Sequence, residues 1–386
     1  MSSISRRAVL SLGVAVVVGG CTRTGTGAPS TAAPSTTATP PPSTPPTTSP
    51  PATSSPASPP PTSASSATVG STTTDPAGGW DEAALDELVA FARSRATDAL
   101  RIEQDGVVIV DDQRAEGTPF VGEIASAQKS VVALLVGIAV EDGIVDLDAT
   151  VTSIIGDGWS AAPFEADVTV RHLMSMTSGL DEALAPIGEP GAQWWYCNSA
   201  YHVVHDVLGA TTAGRMQALS DDWLFGPIGA SPRWYERPGT SSVAVQPDAR
   251  PKLGLLASTD DLCRIGRLVA ERGRVDGRTL LSATTIEELT ERSQAHNPSY
   301  GLLWWRNDLD GYRVGRDNPL QPGPPIPSAP TSLAATLGAE DQKLYVWPDE
   351  RIVVARLGER GGPRTLETVS SFDEELWQYI DAASAP

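Results

Sequence analysis

The sequence predicts an α/β (α+β) fold: an antiparallel sheet flanked by helices and interrupted by an inserted, mostly helical lobe. Three observations carry this. Strand signals cluster at both ends of the globular part. The signals from Ile144 to about Ile265 are mostly helix and loop. Between the first strands and that lobe runs the apolar stretch Ser130–Val140, which reads as a buried helix.

Taken in order, Asp81–Arg93 places Leu85, Leu88, Val89 and Phe91 at helical spacing. Ala99–Asp111 reads as a hairpin: Leu100-Arg101-Ile102 and Val107–Val110 are apolar, and Asp105-Gly106 between them is a turn signal. The apolar helix beginning near Ser126 ends at Asp142-Gly143. Strands return at Tyr312-Arg313-Val314, Gln342–Val346 and Ile352–Leu357, the last two joined by Pro348-Asp349-Glu350-Arg351. An amphipathic helix from about Leu366 to Ala382 closes the chain. The proline-rich Pro319–Pro330 is too irregular for helix or strand and reads as a loop beside the pocket.

The start of the chain sets an expected compartment. Ser5-Arg6-Arg7 precedes an apolar run from Leu12 to Val18, then Gly19-Gly20-Cys21. Residues 1–20 thus read as an export signal, too short for a membrane span. The paired arginines resemble a twin-arginine signal. Val18-Gly19-Gly20-Cys21 resembles a bacterial lipobox, which implies an acylated Cys21 at the outer face of the cytoplasmic membrane. Residues 21–78 are almost all Pro, Ser, Thr, Ala and Gly, a composition that buries no core and reads as a disordered tether. As a coil it reaches roughly 40 Å, and stretched as polyproline II roughly 170 Å. Residues 79–386 are long enough for a sizeable core in one domain or two lobes.

Composition excludes other classes. The formal net charge is −19, whereas nucleic-acid binding requires a basic stripe. Simple electrostatic adhesion to anionic lipid is disfavoured too, so the membrane partner is expected through the lipid on Cys21. Cys197 and Cys263 are compatible with a bridge in an oxidising compartment, but no disulfide framework is implied. No Cys/His cluster has zinc spacing. His202 and His205, with Asp206 beside them, read as packing or surface histidines rather than metal ligands, and no cofactor is expected.

Ser126-Ala127-Gln128-Lys129 carries the chemistry. A serine and a lysine three apart on a helix lie on one face, one turn apart. A serine hydroxyl is a poor nucleophile until a base takes its proton, and a lysine serves once burial keeps its amine neutral. The chain has only three lysines, Lys129, Lys252 and Lys343. Arginine, the usual cation here, does not deprotonate and cannot serve. Spacing alone is a weak signal, so the surrounding segments decide.

Ser126-Ala127-Gln128-Lys129-Ser130 resembles the nucleophile segment of the serine β-lactamase and penicillin-binding-protein superfamily. The nearest branch is its class C-like group of esterases, D-aminopeptidases and 6-aminohexanoate-dimer hydrolases. Val170–Leu180 resembles that group's segment between its first and second motifs, and Tyr196-Cys197-Asn198 its second motif, Tyr-x-Asn. Gly254–Leu262, Tyr300–Trp305 and Gln342–Pro348 are similar to later landmarks. The resemblance spans about Gly79 to Ala382 and implies a β-lactamase/transpeptidase-like fold. It implies a small-molecule or peptide-like acyl substrate and acyl transfer through Ser126, with Lys129 or Tyr196 as base. Asn198 is implied to hold Lys129 or a substrate amide. The oxyanion hole is implied to use the backbone N–H groups of Ser126 and Gln342.

The third motif departs from the pattern. Relatives carry Lys-Thr-Gly or His-x-Gly just before the residue aligned with Gln342, where this chain has Ala339-Glu340-Asp341. The missing cation and the two acids disfavour a substrate carboxylate, which points to neutral ester or amide cleavage. Two alternatives stay open: a β-lactamase or D-Ala-D-Ala carboxypeptidase, and a catalytically weak lipoprotein that binds cell-wall material. Of Trp194, Trp195, Trp304 and Trp305, most are expected in the core and at least one facing substrate.

Overall fold

The computed structural model describes residues 79–384 apart from 116, 213–214, 242–250, 315–318 and 367–368. The export signal, Cys21 and the tether lie outside the described residues. Among the described residues no helix is long and apolar enough to cross a membrane.

A six-stranded sheet forms the frame. Its order is Val107–Gln113, Thr97–Gln104, Ile352–Gly358, Lys343–Trp347, Ala334–Leu337 and Trp305–Arg306, every neighbouring pair antiparallel. The first hairpin closes at Asp105 (φ 52) and Gly106 (φ 76), the left-handed pair that an Asp-Gly turn supplies. Chain ends thus meet in the middle of the sheet, where Leu100 faces Arg356.

Two helical layers cover the sheet. Alternation puts Lys343 and Tyr345 on one face and Leu344 and Val346 on the other. The first face meets the terminal helices Glu82–Ser94 and Ser371–Ser384, which pack through Phe91 stacked on Phe372 and Tyr379. The second face meets Thr259–Ala270, where a side chain at Gly266 would strike Val353 at 2.4 Å. The helix Gln128–Glu141 is apolar on every side from Val131 to Val140 and almost wholly buried, as a helix enclosed by protein must be.

The lobe between is mostly helical, including Val151–Ile155, Val170–Met174 and Asn198–Thr212. It also holds strands the sequence reading lacks. Arg233–Ser241 and Pro251–Ser258 pair antiparallel, and Val121–Glu123 joins them as a third strand. Conversely, the strand expected at Tyr312-Arg313-Val314 is only an isolated bridge between Tyr312 and Gln321. The proline-rich loop is anchored by Asn307, whose amide donates to Ile326, Ala329 and Pro330 carbonyls. Cys197 and Cys263 are free and buried, so no bridge forms.

Candidate active site

Ser126 sits in a 3-10 turn, Ala125–Ala127, that runs into the helix Gln128–Glu141. The turn is clamped on several sides. The Ile124 N–H donates to the Leu255 carbonyl at 3.0 Å, the Gln128 amide to Leu253 at 3.1 Å, and the Ser130 hydroxyl to Leu303 at 2.7 Å. Ala125 holds φ 49, a left-handed conformation that costs a non-glycine residue about 1–3 kcal/mol and persists only where its surroundings impose it. On the sheet side, a Cβ at Gly338 would lie 2.4 Å from the Ile124 carbonyl oxygen. Only glycine lets the sheet come this close.

Lys129 follows one turn later and points back at the serine, its Nζ 3.2 Å from Ser126 Oγ. The same nitrogen donates to Asn198 Oδ1 at 2.9 Å. Lys129 is 4% exposed. Burial is the main reason its pKa falls from 10.5 to about 7, with the positive charge of Arg237 adding to the fall and the Glu182 carboxylate opposing it. A large share of the amine is therefore neutral near pH 7. Two aromatic faces enclose it: Nζ lies 5.0 Å from the Tyr196 ring centroid and 4.6 Å from that of Tyr201.

Asn198 opens the helix Asn198–Thr212, and Glu182 fixes that opening. One Glu182 oxygen accepts from the Asn198 backbone N–H at 2.9 Å and its side-chain amide at 3.0 Å. The other accepts from the Ser199 N–H at 3.0 Å. These are N–H groups that a helix start otherwise leaves unbonded. Burial pushes the Glu182 carboxyl up, but the hydrogen bonds from Asn198 and Ser199 outweigh it and hold the group below its ordinary value. The sequence reading missed Glu182, which belongs to no spaced motif. Only its place just after Gly179-Leu180 hinted at proximity.

Tyr196 is braced by aromatic packing, stacked on Trp305 at 6.4 Å and edge-on to Tyr300 at 6.5 Å. Trp194, Trp304 and Trp305 are all buried, and Trp195 half-buried, so they support the site from within the core.

The structure thus brings together Ser126, Lys129, Tyr196 and Asn198. Ala339 and Gln342 bound the 3-10 turn that follows the strand Ala334–Leu337, next to Gly338, which abuts Ile124. Ala339 is exposed. The Gln342 amide is tied to the Gly358 carbonyl at 2.6 Å. The acids of that turn are engaged away from Ser126: Glu340 with Arg360 at 2.6 Å, and Asp341 with Lys343 at 3.2 Å, Ser370 and the Gly361 N–H. Ala334–Leu337 packs on the Ser126 turn. Neither this strand nor the turn after it, through Gln342, carries a cation. Among the described residues no group of three or more His, Cys, Asp or Glu side chains is placed to hold a metal ion.

The family profile described as Beta-lactamase matches residues 82–369. An uncharacterized protein of Alkalihalophilus pseudofirmus is 22% identical over 224 residues, covering 50% of this chain and 62% of the relative's own length. Among solved structures, a penicillin-binding protein homolog from Caulobacter crescentus superposes with a TM-score of 0.59 at 17% identity, covering 80% of this chain and 100% of the other. A beta-lactamase from Mycobacterium bovis gives 0.57 at 17%, covering 78% and 100%. A Bacillus anthracis protein carrying the name 6-aminohexanoate-dimer hydrolase gives 0.57 at 17%, covering 77% and 81%. At these identities the structural likeness speaks to the fold alone.

Proposed function

The chain belongs to the beta-lactamase family, and from that premise we propose that it is a serine hydrolase that cleaves an ester or amide through a covalent acyl-enzyme. The observation that carries this is the 3.2 Å contact between Lys129 Nζ and Ser126 Oγ, with the amine held near neutrality. Ser126 Oγ attacks the carbonyl carbon as its proton passes to Lys129. Asn198 Oδ1 accepts from the resulting ammonium and keeps it aimed. That proton then goes to the leaving group as the carbonyl bond to it breaks. Water hydrolyses the acyl-enzyme by the same route.

The developing oxyanion needs two N–H donors. Ser126 supplies one. By the resemblance, Gln342, in the segment that abuts Ile124 at Gly338, supplies the other. Gly338 donates to the Gln342 carbonyl at 2.8 Å, toward the strand Lys343–Trp347.

The absent cation here favours neutral acyl substrates. Together with the lipobox-like Val18–Cys21 and the tether, this reads as an enzyme anchored to the outer face of the membrane and working in the cell envelope. The test is turnover of a p-nitrophenyl acyl-ester series, nitrocefin and a D-Ala-D-Ala peptide by wild type and Ser126→Ala. Ester hydrolysis lost in the variant is expected. No turnover of any of the three by the wild type would favour the catalytically weak binding protein instead.

A further inference from the structure

The hydrogen-bond partners of Lys129 Nζ are two neutral oxygens, Ser126 Oγ and Asn198 Oδ1. An ammonium has three donors. What faces the remaining one is aromatic: Tyr196 on one side and Tyr201 on the other, at 5.0 and 4.6 Å from Nζ to ring centroid. Tyr201 belongs to the same helix as Asn198 and lies one turn beyond it, so both residues meet Lys129 from one helix face. It is fully buried. Its hydroxyl is already engaged with His205 Nε2 at 2.8 Å.

We propose that Tyr201 is a positioning residue: with Tyr196 it forms a two-walled aromatic cage that stabilises the ammonium Lys129 becomes on taking the Ser126 proton. The inference rests on Lys129 acting as the base. A cation over an aromatic face is attracted by the ring quadrupole, most strongly where water is excluded. The cage therefore favours the product of proton transfer over the resting amine. It also balances the site. Burial alone drives Lys129 toward neutrality, and a lysine that cannot hold the proton is too weak a base to remove it.

The charges around Lys129 fit this division of labour. Arg237 and Lys252, from the second sheet, lower its affinity for the proton; Glu182 and Cys197 raise it. His202 and His205, behind Tyr201, are held neutral: burial is the main cause, and their pKa values fall to about 2 and about 3. Neither adds a positive charge beside the ammonium. Burial, the largest cause, keeps the Tyr201 phenol protonated by raising its pKa well above 10.

The chain's three lysines make the test direct. With 13Cε-labelled lysine, NMR gives three resonances, and the one absent from Lys129→Arg is assigned to Lys129. Tyr201→Leu should lower its titration midpoint by about one pH unit and reduce kcat/KM about threefold to fivefold at neutral pH. Tyr201→Phe, which keeps the ring, should shift the midpoint by about a third of that or less. Should the leucine variant fail to fold, phenylalanine with increasing fluorination at 201 keeps the shape while draining the ring, and the midpoint should fall with each fluorine. A midpoint that stays constant across that series, or rises in Tyr201→Leu, overturns the cage. A midpoint that falls while turnover is unchanged supports the cage and counts instead against Lys129 as the base.

Discussion

Glu182 grips Asn198 twice with a single oxygen, 2.9 Å from the backbone N–H and 3.0 Å from the side-chain amide. The consequence reaches the nucleophile through one more bond. With its amide nitrogen committed to Glu182, Asn198 can only turn its Oδ1 toward Lys129. Glu182→Ala should therefore release the helix start and the lysine together. Loss of the cap should cost about 1–2 kcal/mol of stability, and kcat/KM should fall by about tenfold or more as Lys129 loses its guide. Glu182→Gln keeps the shape but not the charge, and should shift the acid limb of the pH profile down. Urea unfolding and a pH–rate profile check both, and an unchanged kcat/KM in Glu182→Ala would show that Asn198 holds without it.

Lys129 sets the pH dependence. Its amine is reactive only when neutral, and its pKa lies at about 7 rather than at 10.5. Activity should therefore rise with pH through a midpoint near 7 and be lost below it. Lys129→Ala should remove that limb and lower kcat by about 10²–10⁴-fold. Lys129→Arg should do no better, because guanidinium keeps its proton. A limb centred near 10, or absent in the wild type, would exclude Lys129 as the base.

Ala339→Lys tests the missing cation. A substrate carboxylate gains a charge-assisted hydrogen bond where a cation stands, worth about 1.5–3 kcal/mol. The variant should therefore gain activity on nitrocefin and little on neutral esters. An unchanged ratio of the two kcat/KM values would remove Ala339 from the substrate site.

Stability rests on a buried polar group far from the chemistry. Asp373 is fully buried and binds Lys343 Nζ at 2.9 Å, the Tyr345 hydroxyl at 2.5 Å and the Ser370 N–H at 2.7 Å. Asp373→Ala leaves a buried ammonium short of a partner and should cost about 3–5 kcal/mol. Chemical denaturation reads this directly, and a cost below about 1 kcal/mol would contradict it.

Anchoring is tested by Cys21→Ala, which should move the protein from the membrane fraction to the soluble or unprocessed pool. Unchanged partitioning into the detergent phase would remove the lipid anchor from the account.

What was legible in the sequence had strong local signals. Asp105-Gly106 fixed a hairpin, the apolar run after Lys129 a buried helix, and the spacing from Ser126 to Lys129 their shared face. The rest lacked such signals. Ala334-Ala335-Thr336-Leu337 is small-residue and short, so its propensity says little. Arg233–Ser241 and Pro251–Ser258 carry prolines, glycines and charges that read as loop; pairing with each other and with Val121–Glu123 makes them strands. Tyr312-Arg313-Val314 had the propensity for a strand but no partner to extend it. Glu182 acts through tertiary contacts that no spacing rule contains.

The central claim is that Ser126 is the covalent nucleophile and that Lys129 activates it. Intact-mass spectrometry after exposure to a fluorophosphonate probe tests it most directly. The account predicts a single adduct on the wild type, none on Ser126→Ala, and strongly slowed labelling of Lys129→Ala. An adduct that persists in Ser126→Ala would contradict it.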